Sequence, residues 1–364
     1  MNYNTKRQIQ YDYLRCISCL SVVILHVSSM YLKVDFRSII ADLDFRWASF
    51  WRVVTNFAVP SFVMLSGAFL INEKNINYRC FYLKMYKRII VPTIIFSIFY
   101  VLMHYGEIFI YNIFMNQGIV SVDMEENMLE PLVNWLKGEP NATMWYMYMV
   151  VGLYMLVPVL IRIKQSITFQ AYSGFAVCML FYGILIAYTC KLSWILLYAQ
   201  WIGYFLLGNV IYELFQKHFI EVKHRKIVAI GFIGLSYCLC ILYWFIFSFG
   251  KSTIIVPGSF SLVVVLGTVL QFIGVAMVSG LKNDKGINFI SKYSLDVYLL
   301  HPLICEMIMQ LCGRVLKQFL PGVMIPVIAI FITIFCCYVA KMYTYLIQRC
   351  KICLFVNIKG KRGA

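Results

Sequence analysis

Arg15 and His26 are the residues whose types and spacing point most directly to chemistry. They stand eleven positions apart in DYLRCISCLSVVILHVSS, Asp12 to Ser29, a stretch apolar enough to cross a bilayer. Eleven residues turn an α-helix by about 1100°, roughly 20° past three full turns, so the two side chains share one helix face. The rise between them is about 16.5 Å, about half the hydrocarbon thickness. With the N terminus inside, Arg15 falls at the cytoplasmic boundary and His26 at or beyond mid-membrane. An ionisable group in a membrane span is costly and is expected to face a cavity or a partner rather than lipid. Arginine suits phosphate through its planar fork of donors, and it serves equally as a snorkelling anchor at the interface. Histidine suits the removal of a proton from a hydroxyl. The bland alternative for His26 is a packing residue with a hydrogen-bonded ring. Asp12, three residues before Arg15, can hold it by a short-range ion pair or can simply be an acidic residue in a first helical turn.

A second group lies late in the chain. His301 precedes Pro302, which removes an amide hydrogen from the helical ladder and disfavours helical geometry at His301. Asp296 and Glu306 lie five residues to either side. Three ionisable groups in one span are hard to dismiss as packing. Two readings stay open: His301 lines a reactive cavity, or it bonds to one of those carboxylates. Ser66-Gly67 reads as close helix contact and Trp145 as an interfacial tryptophan. His104, His218 and His224 read as interfacial or solvated residues.

These residues must be carried by membrane helices. The chain has 364 residues, of which 62% are hydrophobic and 13% charged. A soluble protein of this length cannot hide that much apolar surface, so the class is an all-α polytopic membrane protein. About ten spans are expected, at approximately 12–32, 47–71, 86–105, 144–162, 169–188, 194–214, 226–248, 256–280, 289–312 and 321–347. The net charge of +16 is spread over many short loops. It forms no single patch, which argues against a nucleic-acid partner. Ten spans with both termini cytoplasmic place most lysines and arginines inside, Arg162, Lys164 and the group from Lys217 to Lys226 among them. The first apolar segment is too long for the core of a cleavable signal and is expected to stay as the first span.

Residues 1–350 read as a single membrane domain and 351–364 as a basic cytoplasmic tail. The outer segment 106–143 is acidic, and its EIFIYNIFMNQGIV stretch is apolar but short, which suits an interfacial or re-entrant segment. The thirteen cysteines form no disulfide framework. Cys350 and Cys353 form a lone C-x-x-C with no second pair, and no metal is expected.

The ordered motifs resemble acyltransferase family 3, the bacterial integral-membrane O-acyltransferases. Arg15 and His26 led by YDYLR, VPSFVMLSGAFL (Val59–Leu70), YKRIIVP (Tyr86–Pro92), MWYMYMVVGLYMLVPVL (Met144–Leu160), YFLLGNVIYE (Tyr204–Glu213) and ISKYSLDVYLLHPLI (Ile290–Ile304) are similar to that family's segments in the same order. The nearest subgroup resembles enzymes that O-acetylate surface polysaccharides such as the enterobacterial common antigen. The resemblance implies a multi-pass protein of the bacterial inner membrane. It implies a cytoplasmic acyl-CoA donor, acetyl-CoA in the first instance, with no permanently bound cofactor. The acceptor it implies is a glycan or lipid-linked saccharide, with glycan-assembly proteins as potential neighbours, and the role it implies for His26 is general base or carrier of the acyl group as an acyl-imidazole. Coenzyme A is polyanionic, and Arg15, Lys87 and Arg88 fall at the inner boundary where its phosphates would need cations. Plain positive-inside topology explains Lys87 and Arg88 as well. The alternative reading, from another class, is a transporter or flippase of lipid-linked saccharide with the membrane histidines as a proton relay. Against it, the sequence shows no repeat symmetry.

Overall fold

The computed structural model describes residues 8–32, 39–71, 77–115, 124–141, 143–189, 198–216, 224–248, 256–278, 280–316 and 320–360. The described residues are mostly helical, with no strand among them. Helices satisfy backbone hydrogen bonds within one segment, which a lipid-embedded chain requires. The helices are α1 (Ile9–Leu32), α2 (Ile39–Thr55), α3 (Ala58–Leu70), α4 (Tyr78–Met85), α5 (Val91–Met115), α6 (Met124–Leu136), α7 (Trp145–Ser166), α8 (Phe169–Thr189), α9 (Ile202–Gln216), α10 (Arg225–Ser248), α11 (Leu262–Met277), α12 (Lys285–Leu316) and α13 (Pro321–Gly360). A π-helical turn, Tyr86–Ile90, joins α4 to α5, and a 3₁₀ turn, Ala199–Trp201, leads into α9.

Among the described residues, 7 helical stretches are long and apolar enough to cross a membrane: Ile9–Tyr31, Phe45–Leu70, Tyr78–Gly106, Trp145–Ser166, Phe169–Thr189, Arg225–Phe247 and Pro321–Leu346. Each coincides with an expected span. The other three expected spans fall on α9, α11 and α12. The helices α9 and α11 have 15 and 16 residues, short of a full crossing by themselves. The helix α12 has 32 residues, but Lys285, Lys292, Asp296, Glu306 and Arg314 lower its hydropathy. Large apolar side chains such as Phe181 and Leu185 on α8, Ile230 on α10 and Phe331 on α13 are exposed. In water that surface would be a liability, whereas in a bilayer it is the lipid-facing side.

The chain divides into two compact units. The first comprises residues 1–62 and 215–364, the second residues 63–214. In the first unit α1 is central and packs against α2, α12 and α13, with α10 and α11 paired beside them. Its core joins Val23, Val27 and Tyr31 of α1, which repeat every fourth residue, to Tyr293 and Val297 of α12 and to Ile325, Ile328, Ile332 and Cys336 of α13. Steps of three and four residues place each set on one stripe of its helix. Buried Ala48, Ala329 and Ala340 in the same core let the backbones come close.

In the second unit α7 packs against α8 and against the π turn, and α6 packs against α5. The Trp135 indole donates to the Tyr148 hydroxyl at 3.1 Å, and Ser97 lies 2.8 Å from the same hydroxyl, which ties α6 and α5 to α7. Within this unit α3 and α9 meet backbone to backbone. A Cβ at Gly67 would overlap the Phe205 carbonyl, and one at Gly208 would overlap the Met64 carbonyl. Gly67 is therefore a packing residue, and Ser66 accepts a hydrogen bond from the Tyr154 hydroxyl at 3.1 Å.

Candidate functional site

The helix α1 carries the site because its length and apolar character let it run unbroken from Asp12 past His26. Near its start Asp12 is buried, at 6% exposure. A buried carboxylate needs compensation, and two groups supply it. The Arg15 Nη1 donates to Asp12 Oδ1 at 3.2 Å, one turn along the same helix. The Ser291 hydroxyl of α12 donates to the same oxygen at 2.7 Å. Arg15 Nη1 also lies 3.2 Å from Ser291 Oγ, so the three side chains close a triangle between α1 and α12. The Arg15 side chain keeps 31% of its surface exposed, so the guanidinium is anchored at one edge and open at another.

Three turns further along α1, His26 is half-buried. Its ring centroid lies 5.0 Å from that of His301, with the planes inclined at 47°. His301 is on α12, as is Ser291, so both Arg15 and His26 meet the same neighbouring helix. His301 is fully buried. Its Nδ1 lies 3.0 Å from the Val297 carbonyl, one turn back along α12. A carbonyl oxygen only accepts, so Nδ1 carries the hydrogen and Nε2 carries the lone pair. Tyr298 flanks the imidazole, with centroids 5.6 Å apart.

One of the two readings left open for His301 is settled by α12. The helix runs unbroken through Pro302, from Lys285 to Leu316, as the expected span 289–312 does. His301 bonds to neither carboxylate of its own helix. Asp296 instead accepts a hydrogen bond from the Tyr343 hydroxyl of α13, which fastens the two helices together. The Glu306 side chain is exposed. The physical reason is angular: five residues along a helix are about 500°, or 140° past one turn, so neither acid shares the face of His301. The residue four back does share it, and there the histidine meets a backbone oxygen.

Lys87 and Arg88 lie in the second unit, on the π-helical turn, and both are exposed. π turns recur at functional sites because the extra residue re-aims side chains. The helical segment starts at Tyr78, eight residues earlier than the sequence suggested, because Asn77 caps it by accepting from the Cys80 amide at 3.2 Å.

Sequence reasoning missed a polar cluster in the second unit. Lys164, read from sequence as a loop charge, has a side chain only 13% exposed. Its Nζ lies 3.1 Å from Glu213 Oε2 and donates to Asn209 Oδ1 at 2.7 Å. The Tyr172 hydroxyl donates to the same Asn209 oxygen at 3.2 Å. The signal was present in YFLLGNVIYE, where Asn209 and Glu213 stand four apart in an otherwise apolar helix and so require a partner. Ser291 was also missed, since neither serine of ISKYSLD, Ser291 or Ser294, carries a spacing signal. No group of three or more metal-ligating side chains occurs among the described residues. The Cys350 and Cys353 side chains lie outside the described residues.

An all-α chain of several membrane-crossing helices, with paired arginine and histidine sites on two packed helices, defines a multi-pass membrane protein with a built polar interior. The family model described as Acyltransferase domain, acyltransferase family 3, matches residues 8–342. The match covers most of the chain, which belongs to that family and is a membrane acyltransferase. No curated protein and no solved structure matches the chain.

Proposed function

We propose that this acyltransferase moves an acetyl group from cytoplasmic acetyl-CoA to a hydroxyl of a cell-surface or lipid-linked glycan, with His26 as the general base. The observation that carries the reading is the meeting of α1 and α12 at two levels, with Arg15 anchored by Asp12 and Ser291 and His26 set against His301. In the proposed reaction the acceptor oxygen attacks the thioester carbonyl carbon while His26 takes the hydroxyl proton. The carbon–sulfur bond then breaks, and the proton passes from His26 to the departing sulfur. Proton transfer by a positioned imidazole contributes about 10²–10⁴-fold in rate. Arg15 supplies directed hydrogen bonds to the donor's phosphates. The protein sits in the bacterial inner membrane with both termini cytoplasmic, the placement that the distribution of lysine and arginine supports.

The test uses purified full-length protein, radiolabelled acetyl-CoA and a panel of glycan acceptors. Transfer of label falls by about 10²-fold or more in His26→Ala. It is unchanged in Phe181→Leu on the exposed side of α8. Undiminished transfer by His26→Ala overturns the assignment of the base. Label retained on the protein before acceptor is added would replace direct transfer with an acyl-imidazole.

A further inference from the structure

His301 has a feature that the proposed reaction does not yet use. Its Nδ1–H is committed to the Val297 carbonyl at 3.0 Å, which leaves the lone pair on Nε2. That nitrogen is buried and has no hydrogen-bond partner among the described residues. A buried acceptor without a donor is expensive, so one that persists at the centre of a helix pair implies a donor that arrives with function. The ring it adjoins is His26, whose centroid is 5.0 Å away. A centroid separation of 5.0 Å is short enough for a nitrogen of one imidazole to come within hydrogen-bond distance of a nitrogen of the other when both point along the line between the rings.

We propose that His301 is the positioning residue of His26: in the working complex its Nε2 accepts the N–H of His26, and this fixes the other His26 nitrogen as the lone-pair nitrogen that faces the acceptor hydroxyl. The inference rests on His26 being the base. The chain of contacts then runs from the Val297 carbonyl to His301 Nδ1–H, from His301 Nε2 to His26 N–H, and from the second His26 nitrogen to the substrate proton. Each imidazole is neutral before the reaction and uses both of its nitrogens. When His26 takes the hydroxyl proton, the resulting cation is stabilised by the lone pair already facing it, and the proton leaves again to the thiolate. The arrangement follows a general rule, in which a base is oriented by a third group through its far nitrogen. Here a buried imidazole held by a backbone carbonyl takes the place of a carboxylate, so the site gains no fixed negative charge. His301 has no exposed surface, which suits a residue that acts through His26 and not on the substrate itself.

Two substitutions separate this role from simple helix support. In His301→Asn the side-chain amide reproduces the Nδ1–H donor to Val297 and removes the acceptor at the Nε2 position. In His301→Gln the longer side chain places an amide oxygen near the Nε2 position and loses the short bond to Val297. The expected result is that His301→Gln retains transfer to within about tenfold. His301→Asn loses about 10²-fold in kcat with KM for acetyl-CoA unchanged. The reverse order, Asn active and Gln inactive, overturns the proposal, as do equal losses or no loss in both. The wild-type protein gives a second measurement that does not depend on how well either variant folds. With ¹⁵N-labelled histidine, a His301 signal protonated at Nε2 instead of Nδ1 also overturns the proposal. Failure of the reaction scheme itself reads differently, because His26→Ala would then transfer acetyl at the wild-type rate whatever the His301 variants do.

Discussion

Replacement of Lys164 by methionine should destabilise the protein far more than the loss of a surface lysine. The Lys164 side chain is 13% exposed and that of Glu213 is 5% exposed, with Nζ 3.1 Å from the carboxylate. Methionine matches the stem of lysine in length and apolar character, so little packing is lost. What remains is a carboxylate in a nearly dry site without its cation, and an Asn209 oxygen that keeps only the Tyr172 hydroxyl of its two donors. Exposed ion pairs contribute about 0–1 kcal/mol, but removal of one partner of a buried pair costs about 3–5 kcal/mol. The lysine retains some exposure, which places Lys164→Met near the lower figure, about 3 kcal/mol. Glu213→Gln strands the ammonium instead. Its cost is smaller, about 2 kcal/mol, because Nζ still donates to Asn209 and can reach towards solvent. The double variant Lys164→Met/Glu213→Gln has no stranded charge and should cost less than the lysine change alone. The assay is equilibrium unfolding of the detergent-solubilised protein in a denaturing surfactant, with the four proteins compared as a double-mutant cycle. A coupling energy below about 0.5 kcal/mol, or a double variant at the sum of the singles, would refute the view of Lys164 as a buried, paired charge.

Two further outcomes follow from the packing. Gly67→Ala forces a Cβ into the Phe205 carbonyl with no flexible side chain to yield, so it should cost about 3 kcal/mol, at the upper end for overpacking, measured in the same unfolding assay. Ser291→Ala removes a donor to buried Asp12 and should cost about 1.5–3 kcal/mol, the range for hydrogen bonds to charged groups. Ser291→Thr, which keeps the hydroxyl, should recover most of that loss in the same measurement.

The helical, membrane-spanning character of the chain was legible because hydropathy over a span is a sum over about 20 residues, and a few polar positions do not hide it. The exceptions have local causes. The helix α12 carries enough charge to fall below the apolar standard, and α9 and α11 are short. Pairings within one helix were legible too, since helical geometry alone puts Asp12 beside Arg15. Pairings between helices were not. Nothing in the local sequence says that Ser291 meets Asp12, that Tyr343 takes Asp296, or that Lys164 turns inward to Glu213. Those contacts are fixed by which helix faces pack, and a single sequence shows each face but not its partner. The positive-inside rule was silent on the pairing of Lys164 for a related reason: it counts charges near span ends and cannot tell a solvated lysine from one whose carboxylate lies a helix away.

The triangle of Asp12, Arg15 and Ser291 bears on how the proposed donor would be bound. With both ions charged, Asp12 and Arg15 sum to zero, so the pair exerts little long-range pull on a polyanion. Arg15 would therefore act at short range, through guanidinium donors whose direction is set by a buried carboxylate and a serine from α12. Long-range attraction needs charge that is not neutralised close by. Lys87 and Arg88, exposed on the π turn of the second unit, carry charge of that kind, and neither forms a salt bridge among the described residues. Screening by salt acts strongly on exposed charges and weakly on a partly buried, hydrogen-bonded one. In the proposed reaction the neutralised arginine thus works by direction at short range and not by long-range attraction.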